Sequence, residues 1–178
     1  RLCCSPPETA TRVRSMVQSV AESYKTSPLW AAVEALWLSG VVVVVSAGNG
    51  GPGTMYYPPA NDPFVITVGA ADISASPNTK DDVVAPWSAY GYTHDGFAKP
   101  ELSAPGRYLT QQLPSGATLF AEFPQNVVKS GQLQISGTSF SAALVSGMAA
   151  GLLAAHPDWT PDMVKGALMV TATPLAQL

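Results

Sequence analysis

Ser139 is the first of two side chains in this sequence that could take part in acyl-transfer chemistry. It stands where an irregular turn, residues 137–138, meets a long apolar run. If that run is a helix, the hydroxyl lies at the positive end of the helix dipole, where backbone N–H groups face a bound anion. Serine is also a common N-cap residue, so its position alone is compatible with either a nucleophile or a cap.

Asn49 is the second candidate, in a glycine-rich turn that follows a valine run. Its side-chain amide is a donor of the kind that stabilises a developing oxyanion. An asparagine flanked by glycines is equally typical of an ordinary turn. Small residues surround both candidates, at positions 46–48 and 137–138. They permit the backbone to approach a ligand closely, although tight packing alone would also explain them.

A helix and a buried strand are predicted just before Asn49. Ser27 and Pro28 provide an N-cap and a first-turn proline, and Gly40 provides a helix end. The five valines at positions 41–45 form a β-branched run without alternation, which indicates a strand covered on both faces, as in a parallel sheet. The apolar face of the helix is predicted to carry Leu29, Val33, Leu36 and Trp37.

The remainder of the chain follows an α/β pattern. Further strands are predicted at residues 64–68 and 132–135, with loop-rich chain between them. A helix of small residues is predicted over 140–155, followed by a last helix capped by Thr160, with Val164 and Leu168 on its inner face. Valine-rich strands alternating with helices predict one α/β domain.

Several segments together resemble the subtilisin-like serine proteases, or subtilases. Residues 42–49 (Val-Val-Val-Val-Ser-Ala-Gly-Asn) and residues 137–147 (Gly-Thr-Ser-Phe-Ser-Ala-Ala-Leu-Val-Ser-Gly) are similar to the oxyanion-asparagine and nucleophile-serine motifs of that family. Residues 57–70, 99–106 and 156–165 match further family segments in the same order. The resemblance covers about residues 27–174.

The resemblance implies a fold and a set of roles. The fold would be α/β, a subtilisin-like parallel sheet flanked by helices, with the front part missing. Ser139 would be the nucleophile and Asn49 an oxyanion donor. The substrate-binding residues would be Ser46, Ala47 and Gly48 in one wall of the pocket for the residue before the scissile bond, Tyr56 near its floor, and Ser19, Val20 and Ala21 in a substrate-edge strand.

The sequence also departs from the family pattern. Subtilases carry their triad in the order Asp, His, Ser, but the Asp-Ser/Thr-Gly and His-Gly-Thr-His motifs do not occur in these 178 residues. Residues 27–178 therefore resemble the C-terminal part of a peptidase domain, preceded by a ragged segment, residues 1–26. Ala143 replaces the proline that normally follows the nucleophile by four residues, which removes no catalytic group.

Two functions from different classes follow from this comparison. The first is a secreted serine endopeptidase in the parent protein, with this chain inactive alone for want of its Asp and His. Its partners would be a peptide or protein substrate and the missing N-terminal part of the catalytic domain. No cofactor is expected; the family allows calcium, with no ligands indicated. The alternative is a degenerate, non-catalytic subtilase-like domain that binds peptides or has a structural role.

Composition and charge argue against two classes of partner, nucleic acids and membranes. Nine Lys and Arg against twelve Asp and Glu give a net charge of −3, and the basic residues are scattered, so a nucleic-acid partner is not expected. The apolar run at 140–155 is shorter than the roughly 20 residues of a membrane span. We therefore expect that run to be a buried helix and expect no membrane partner.

Overall fold

The structure, a computed structural model, describes residues 28–73 and 81–175 together with Ser23 and Lys25. The α-helices are α1 (Pro28–Leu38), α2 (Leu119–Glu122), α3 (Thr138–Ala155) and α4 (Pro161–Thr171), with a 3₁₀ turn at Pro124–Asn126. The strands are β1 (Val44–Ser46), β2 (Ile66–Asp72), β3 (Val83–Val84), β4 (Gly91–Tyr92), β5 (Ala98–Lys99), β6 (Leu102–Pro105), β7 (Leu109–Gln112), β8 (Val127–Lys129) and β9 (Gln132–Ile135).

The main sheet is built around β2. This strand pairs in parallel with β1 and with β6, and antiparallel with β3 at its end. Because β1, β2 and β6 are parallel, their carboxyl ends lie at one edge of the sheet, which is where ligand sites of α/β sheets form. Asn49 follows the carboxyl end of β1 by three residues. Two small antiparallel sheets, β4–β5 and β7–β9–β8, complete the strands.

The core lies between the main sheet and helices α3 and α4. Helix α3 packs on β1, β2 and β6. Val164 and Leu168 of α4 are buried in the same cluster, as predicted. The Thr160 hydroxyl accepts a hydrogen bond from the Met163 N–H at 3.3 Å, which confirms the predicted cap of α4. The other buried members are Trp37, Ile66, Val68, Ala104, Ala142, Val145 and Ala149.

The predicted inner face of α1 is partly wrong. Val33 and Trp37 are buried as expected, but the third buried residue is Trp30, while Leu29 and Leu36 are exposed. The Trp30 indole donates to the Asn61 side-chain oxygen at 2.8 Å, and this buried hydrogen bond draws position 30 inward. Spacings of three and four residues then place 30, 33 and 37 on one helical face, with 29 and 36 outside it.

The valine run, predicted to be covered on both faces, is partly covered: Val42, Val43 and Val44 pack against one core cluster and Val45 against a second. The strand begins only at Val44, and the side chains of residues 42–45 are partly exposed. Within the described chain β1 pairs with β2 alone, so its other edge has no strand partner. Val41, just outside the strand, is exposed as well.

Helix α3, predicted to be a buried helix, is buried on one face only. Its buried residues are at the sheet side, whereas Leu144 is 43% and Met148 55% exposed. The described chain has no element that packs on this outer face. Over its 18 residues α3 is also long and apolar enough to cross a membrane, by length and composition alone. Core helices of soluble proteins pass the same test.

Candidate active site

The structure brings Asn49 to the first turn of α3, across 89 positions of sequence. The Thr138 backbone N–H and the Thr138 hydroxyl both donate to Asn49 Oδ1, each at 3.0 Å. The Gly48 N–H in turn donates to Thr138 Oγ1 at 3.2 Å. The turn after β1 and the start of α3 are thus joined by three hydrogen bonds.

This network determines which way the Asn49 amide points. A backbone N–H can only donate, so the side-chain atom that faces the Thr138 amide must be the oxygen, Oδ1. The Thr138 hydroxyl oxygen accepts a hydrogen bond from the Gly48 N–H and donates its own proton to the same Oδ1. The Asn49 Nδ2 group therefore faces away from Thr138, where it can donate to a ligand.

Ser139 follows in the first turn of α3 and is partly exposed. The first N–H groups of a helix have no intrahelical acceptor. The Thr138 N–H bonds to Asn49 and the Phe140 N–H to the Gly137 carbonyl at 3.1 Å, but no described residue accepts from the Ser139 N–H. Nor does the described chain offer a partner to Ser139 Oγ or to Asn49 Nδ2. One hydroxyl and two donors are thus unsatisfied near one helix terminus.

Thr138 is a residue of this candidate site that the sequence interpretation does not single out. In the sequence it is only a small residue beside the serine. Its hydroxyl, rather than its size, holds the Asn49 amide in place. A hydroxyl residue directly before a candidate nucleophile at a helix start was the available signal, since such a side chain can bond across to a neighbouring loop.

The predicted pocket-wall residues lie at the carboxyl end of β1. Ser46 ends the strand, and the Ala47 N–H extends the ladder by donating to the Val68 carbonyl at 2.9 Å. Gly48 has φ +104°, a conformation that side chains disfavour, so glycine is required where the chain turns toward Thr138. These three residues and Asn49 form one continuous segment beside the start of α3.

Tyr56, the predicted pocket floor, is 37% exposed. Its neighbour Met55 is fully buried and packs with Ala47, Ala60 and Ala89. The segment that carries Tyr56 is thus anchored by Met55 against Ala47 of the predicted wall. The predicted substrate-edge residues Ser19, Val20 and Ala21 fall outside the described residues.

Neither histidine of the sequence hydrogen-bonds to Ser139 in the described chain. His156 is the residue after α3, seventeen positions from Ser139, and a rise of 1.5 Å per residue separates them by roughly 25 Å. His156 instead stacks on Trp159, with ring centroids 4.1 Å apart. His94 is exposed in the turn between β4 and β5. No group of three or more His, Cys, Asp or Glu side chains within the described ranges could hold a metal ion.

Comparison with known proteins settles the family. The model of the subtilase family matches residues 8–178, nearly the whole chain. The chain belongs to the subtilase family. This confirms the resemblance drawn from the motifs around Asn49 and Ser139. Relatives of the chain include serine proteases.

Individual relatives of this subtilase are serine proteases of bacteria. Serine protease AprX of Bacillus subtilis (strain 168) is 38% identical over 139 residues, which cover 78% of this chain and 31% of the relative. The Extracellular serine proteinase of Thermus sp. (strain Rt41A) is 35% identical over 136 residues, 76% of this chain and 27% of the relative. The subtilase chain thus spans about a third of the length of these relatives or less.

Solved structures support the predicted fold class, α/β with a parallel sheet flanked by helices. Sphericase matches with a TM-score of 0.62 and 30% identity, over 80% of this chain and 43% of its own. A cold adapted subtilisin-like serine proteinase matches with a TM-score of 0.57 and 26% identity, over 80% of this chain and 42% of its own. The subtilase chain therefore corresponds to less than half of each solved chain.

Proposed function

We propose that the complete protein containing these residues is a serine endopeptidase that cleaves peptide bonds through an acyl-enzyme. The observation that carries this proposal is the junction of Asn49 with the first turn of α3, where the Ser139 hydroxyl, the Ser139 N–H and Asn49 Nδ2 have no partner among the described residues. Family membership supports the same reaction class. As in the family's secreted members, we propose an extracellular location.

In the proposed reaction Ser139 Oγ attacks the scissile carbonyl carbon. The C–O bond to serine forms as the carbonyl π electrons move to oxygen, and the resulting oxyanion lies between the Ser139 N–H and Asn49 Nδ2. Collapse of this intermediate breaks the C–N bond, and the amine leaves with the proton that the base took from Ser139 Oγ. Water then hydrolyses the acyl-enzyme ester and restores the serine hydroxyl. The Thr138 bonds to Asn49 Oδ1 keep Nδ2 directed at the oxyanion without reorganisation during the reaction.

The proposed reaction needs a base, and no described side chain hydrogen-bonds to Ser139 Oγ. A serine alcohol is a weak nucleophile until a neighbouring base takes its proton. We therefore propose that the Asp and His of the triad come from the N-terminal part of the catalytic domain, which precedes this chain in the family order. No cofactor is proposed, and no calcium ligands are assigned.

Replacing Asn49 by leucine tests the oxyanion role directly. The variant removes the Nδ2 donor, so we expect kcat for peptide hydrolysis by the complete protein to fall about 10²–10³-fold while KM stays near that of the wild type. Thr138→Ser is the matched control, because it retains the hydroxyl that bonds to Asn49, and it should remain within a fewfold of the wild type. A rise in KM with unchanged kcat would assign Asn49 to substrate binding instead.

The exposed face of α3 supports docking of that N-terminal part. Leu144 and Met148 lie on the outer side of the helix, and β1 presents an open edge beside it. An apolar helix face next to the open edge of a valine strand is a surface that further strands and helices of the same domain would cover. We propose that they do so, and that neither a membrane nor nucleic acid is a partner.

We accordingly expect the isolated 178-residue chain to be a poor autonomous folder. It should be insoluble, or bind a hydrophobic dye strongly and lack a sharp thermal transition, because the α3 face and β1 edge remain uncovered. Leu144→Glu together with Met148→Glu should improve its solubility, and the matched pair Met163→Glu with Met169→Glu on α4 should improve it less. A soluble wild-type monomer with a reversible, cooperative thermal transition would contradict this.

Tyr56 is proposed to shorten the pocket for the residue before the scissile bond. An aromatic ring there occupies volume that a large substrate side chain would fill, so small or medium apolar side chains should be preferred. Tyr56→Gly should raise kcat/KM for phenylalanine or tyrosine at that position about tenfold relative to alanine. Cleavage of a peptide library by the wild type and by Tyr56→Gly measures this preference. If the two proteins cleave after large aromatic residues equally well, Tyr56 does not form the pocket floor.

Product analysis separates the proposed protease from a non-catalytic peptide-binding domain. The complete protein is incubated with an unstructured protein substrate, and the products are identified by mass spectrometry. We expect internal cleavage with new amino and carboxyl termini. Binding of the substrate without cleavage would favour the non-catalytic function and contradict the proposal.

A further inference from the structure

Ser141 carries a hydroxyl that the proposed reaction does not use. It lies two residues after Ser139 in the first turn of α3 and is fully buried. Its Oγ donates toward the carbonyl oxygens of Ala104 at 3.0 Å and Pro105 at 3.2 Å, the last two residues of β6. This hydroxyl therefore connects the first turn of α3 to the carboxyl end of a strand in the main sheet.

The bond that Ser141 makes differs from the usual bond of a serine inside a helix. Such a hydroxyl commonly donates to the carbonyl four residues earlier in the same helix. Ser146 does so, since it donates to the Ala142 carbonyl at 2.8 Å. The acceptors of Ser141 belong to another element, 36 and 37 positions away. The Ser141 hydroxyl thus helps to place α3 on the sheet, whereas the bond of Ser146 stays within the helix.

The strand end that receives this hydroxyl is itself held by the sheet. The Gly106 N–H, directly after β6, donates to the Ala71 carbonyl of β2 at 3.0 Å, and the Gly106 carbonyl accepts the Gly137 N–H at 2.8 Å. A Cβ added at Gly106 would overlap Ser141 Oγ and the Ala70 side chain. The absence of a side chain at this position therefore lets the hydroxyl reach the β6 carbonyls.

Along the chain, Ser139 lies between two side chains that bond to different strands. Before it, Thr138 bonds to Asn49, which follows β1. After it, Ser141 bonds to β6. The strands β1 and β6 pair with opposite edges of β2. The first turn of α3 is therefore held at two separate points of the sheet, one on each side of Ser139, and cannot pivot about either.

We propose that Ser141 is a positioning residue, whose bond to β6 keeps Ser139 Oγ aligned with the scissile carbonyl and the base. The inference rests on the proposed function of Ser139. Without the Ser141 hydroxyl, the turn is still bonded on the Thr138 side but can rotate about that side. Asn49 Nδ2 then keeps its place, because Thr138 still holds the Asn49 amide, whereas Ser139 Oγ loses its alignment. A displacement of about 1 Å in a reacting atom can cost a hundredfold in rate.

Ala143 makes the Ser141 bond more important in this chain. Residue 143 is the position at which the family pattern has proline, and here α3 runs without interruption from Thr138 to Ala155. A proline has a fixed φ and no N–H, so it bends a helix through the backbone alone. Alanine imposes no such direction. The position of the first turn therefore depends on its contacts with the sheet, and the Ser141 hydroxyl is one of them.

The test compares Ser141→Ala with Ser88→Ala in the complete protein, well below the temperature at which either variant unfolds. Ser88 is a second fully buried serine, and its Oγ accepts the Ala70 N–H of β2 at 2.9 Å. Each variant loses one buried hydroxyl, so both should be destabilised to a similar degree. We expect kcat of Ser141→Ala to fall about ten- to a hundredfold with KM near that of the wild type. Ser88→Ala should keep both constants, because lost stability alone does not change the folded enzyme.

Amide hydrogen exchange gives a readout that does not depend on turnover. Ser141→Ala should speed exchange across residues 137–142 about fivefold, as expected for one lost hydrogen bond, and leave residues 150–155 of the same helix unchanged. Ser146→Ala should leave exchange of residues 137–142 as in the wild type. If Ser141→Ala does not accumulate in cells, Ser141→Cys is the second variant. Its thiol is a weak donor, so the same fall in kcat is expected.

Three results would overturn this inference and leave the proposed function intact. The first is a kcat of Ser141→Ala equal to that of Ser88→Ala, and the second is a rise in KM with unchanged kcat, which would assign Ser141 to substrate binding. The third is unchanged exchange of residues 137–142, because the hydroxyl would then not hold the turn. A wild type that does not hydrolyse peptides would instead contradict the proposed function, and the inference with it.

Discussion

Ser139→Ala in the complete protein will lower kcat for peptide hydrolysis by about 10⁶, the loss known for removal of the nucleophile in subtilisin. The expected loss is large because no acyl-enzyme can form without the hydroxyl, whereas the two oxyanion donors persist. What remains should be the slow, uncatalysed attack of water assisted by those donors. KM should change little, since the hydroxyl contributes to the transition state rather than to ground-state binding.

Ser146→Ala is the matched control for this prediction. Ser146 lies on the same helix, is exposed, and donates to the Ala142 carbonyl at 2.8 Å. Its loss removes a hydroxyl from α3 at a distance from the helix start and should leave kcat within about twofold, as for most surface substitutions. A Ser139→Ala variant that retains a tenth of wild-type activity would exclude Ser139 as the nucleophile.

The isolated 178-residue chain is expected to show a loss of similar size. Without the triad histidine, subtilisin also loses about 10⁶ in turnover, and neither histidine of this chain hydrogen-bonds to Ser139 in the described residues. The measurement is hydrolysis of a chromogenic peptide by the chain alone, compared with the complete protein at equal concentration.

We also expect activity to return when the missing N-terminal part of the domain is supplied as a separate chain. Co-refolding of the chain with the separately produced N-terminal part of the domain should restore activity, and the same mixture carrying Ser139→Ala should stay inactive. Activity of the chain alone within a hundredfold of the complete protein, abolished by Ser139→Ala, would show that it contains its own base.

The elements that carry the site could be predicted from the sequence because their signals are local. The valine run, the glycine-rich turn at Asn49, the small-residue helix after Ser139 and the Thr160 cap each depend on neighbouring residues, and the structure has a strand, a turn, a helix and a cap at these places. That Asn49 meets the start of α3 is implied by the family resemblance, since nothing local links Asn49 to Thr138, 89 positions away.

Burial was harder to predict because it depends on what packs against an element. Leu29 and Leu36 are as apolar as a core residue, yet the buried Trp30–Asn61 hydrogen bond determines which face of α1 turns inward. The exposure of Leu144 on α3 likewise reflects the surroundings of the helix rather than its composition. The hydrogen bond of the Thr138 hydroxyl is hard to predict for the same reason, because its partner lies on a loop distant in sequence.

The central claim is that Ser139 is an activated nucleophile, and covalent labelling tests it most directly. A phosphofluoridate reacts with such a serine by forming an Oγ–P bond and releasing fluoride, while the serine proton passes to the base. After treatment of the complete protein, mass spectrometry should find one phosphoryl group per chain, on the peptide that contains Ser139, and none after prior unfolding. Peptide hydrolysis that continues with Ser139 unlabelled, or a label on a different serine that abolishes hydrolysis, would contradict the account.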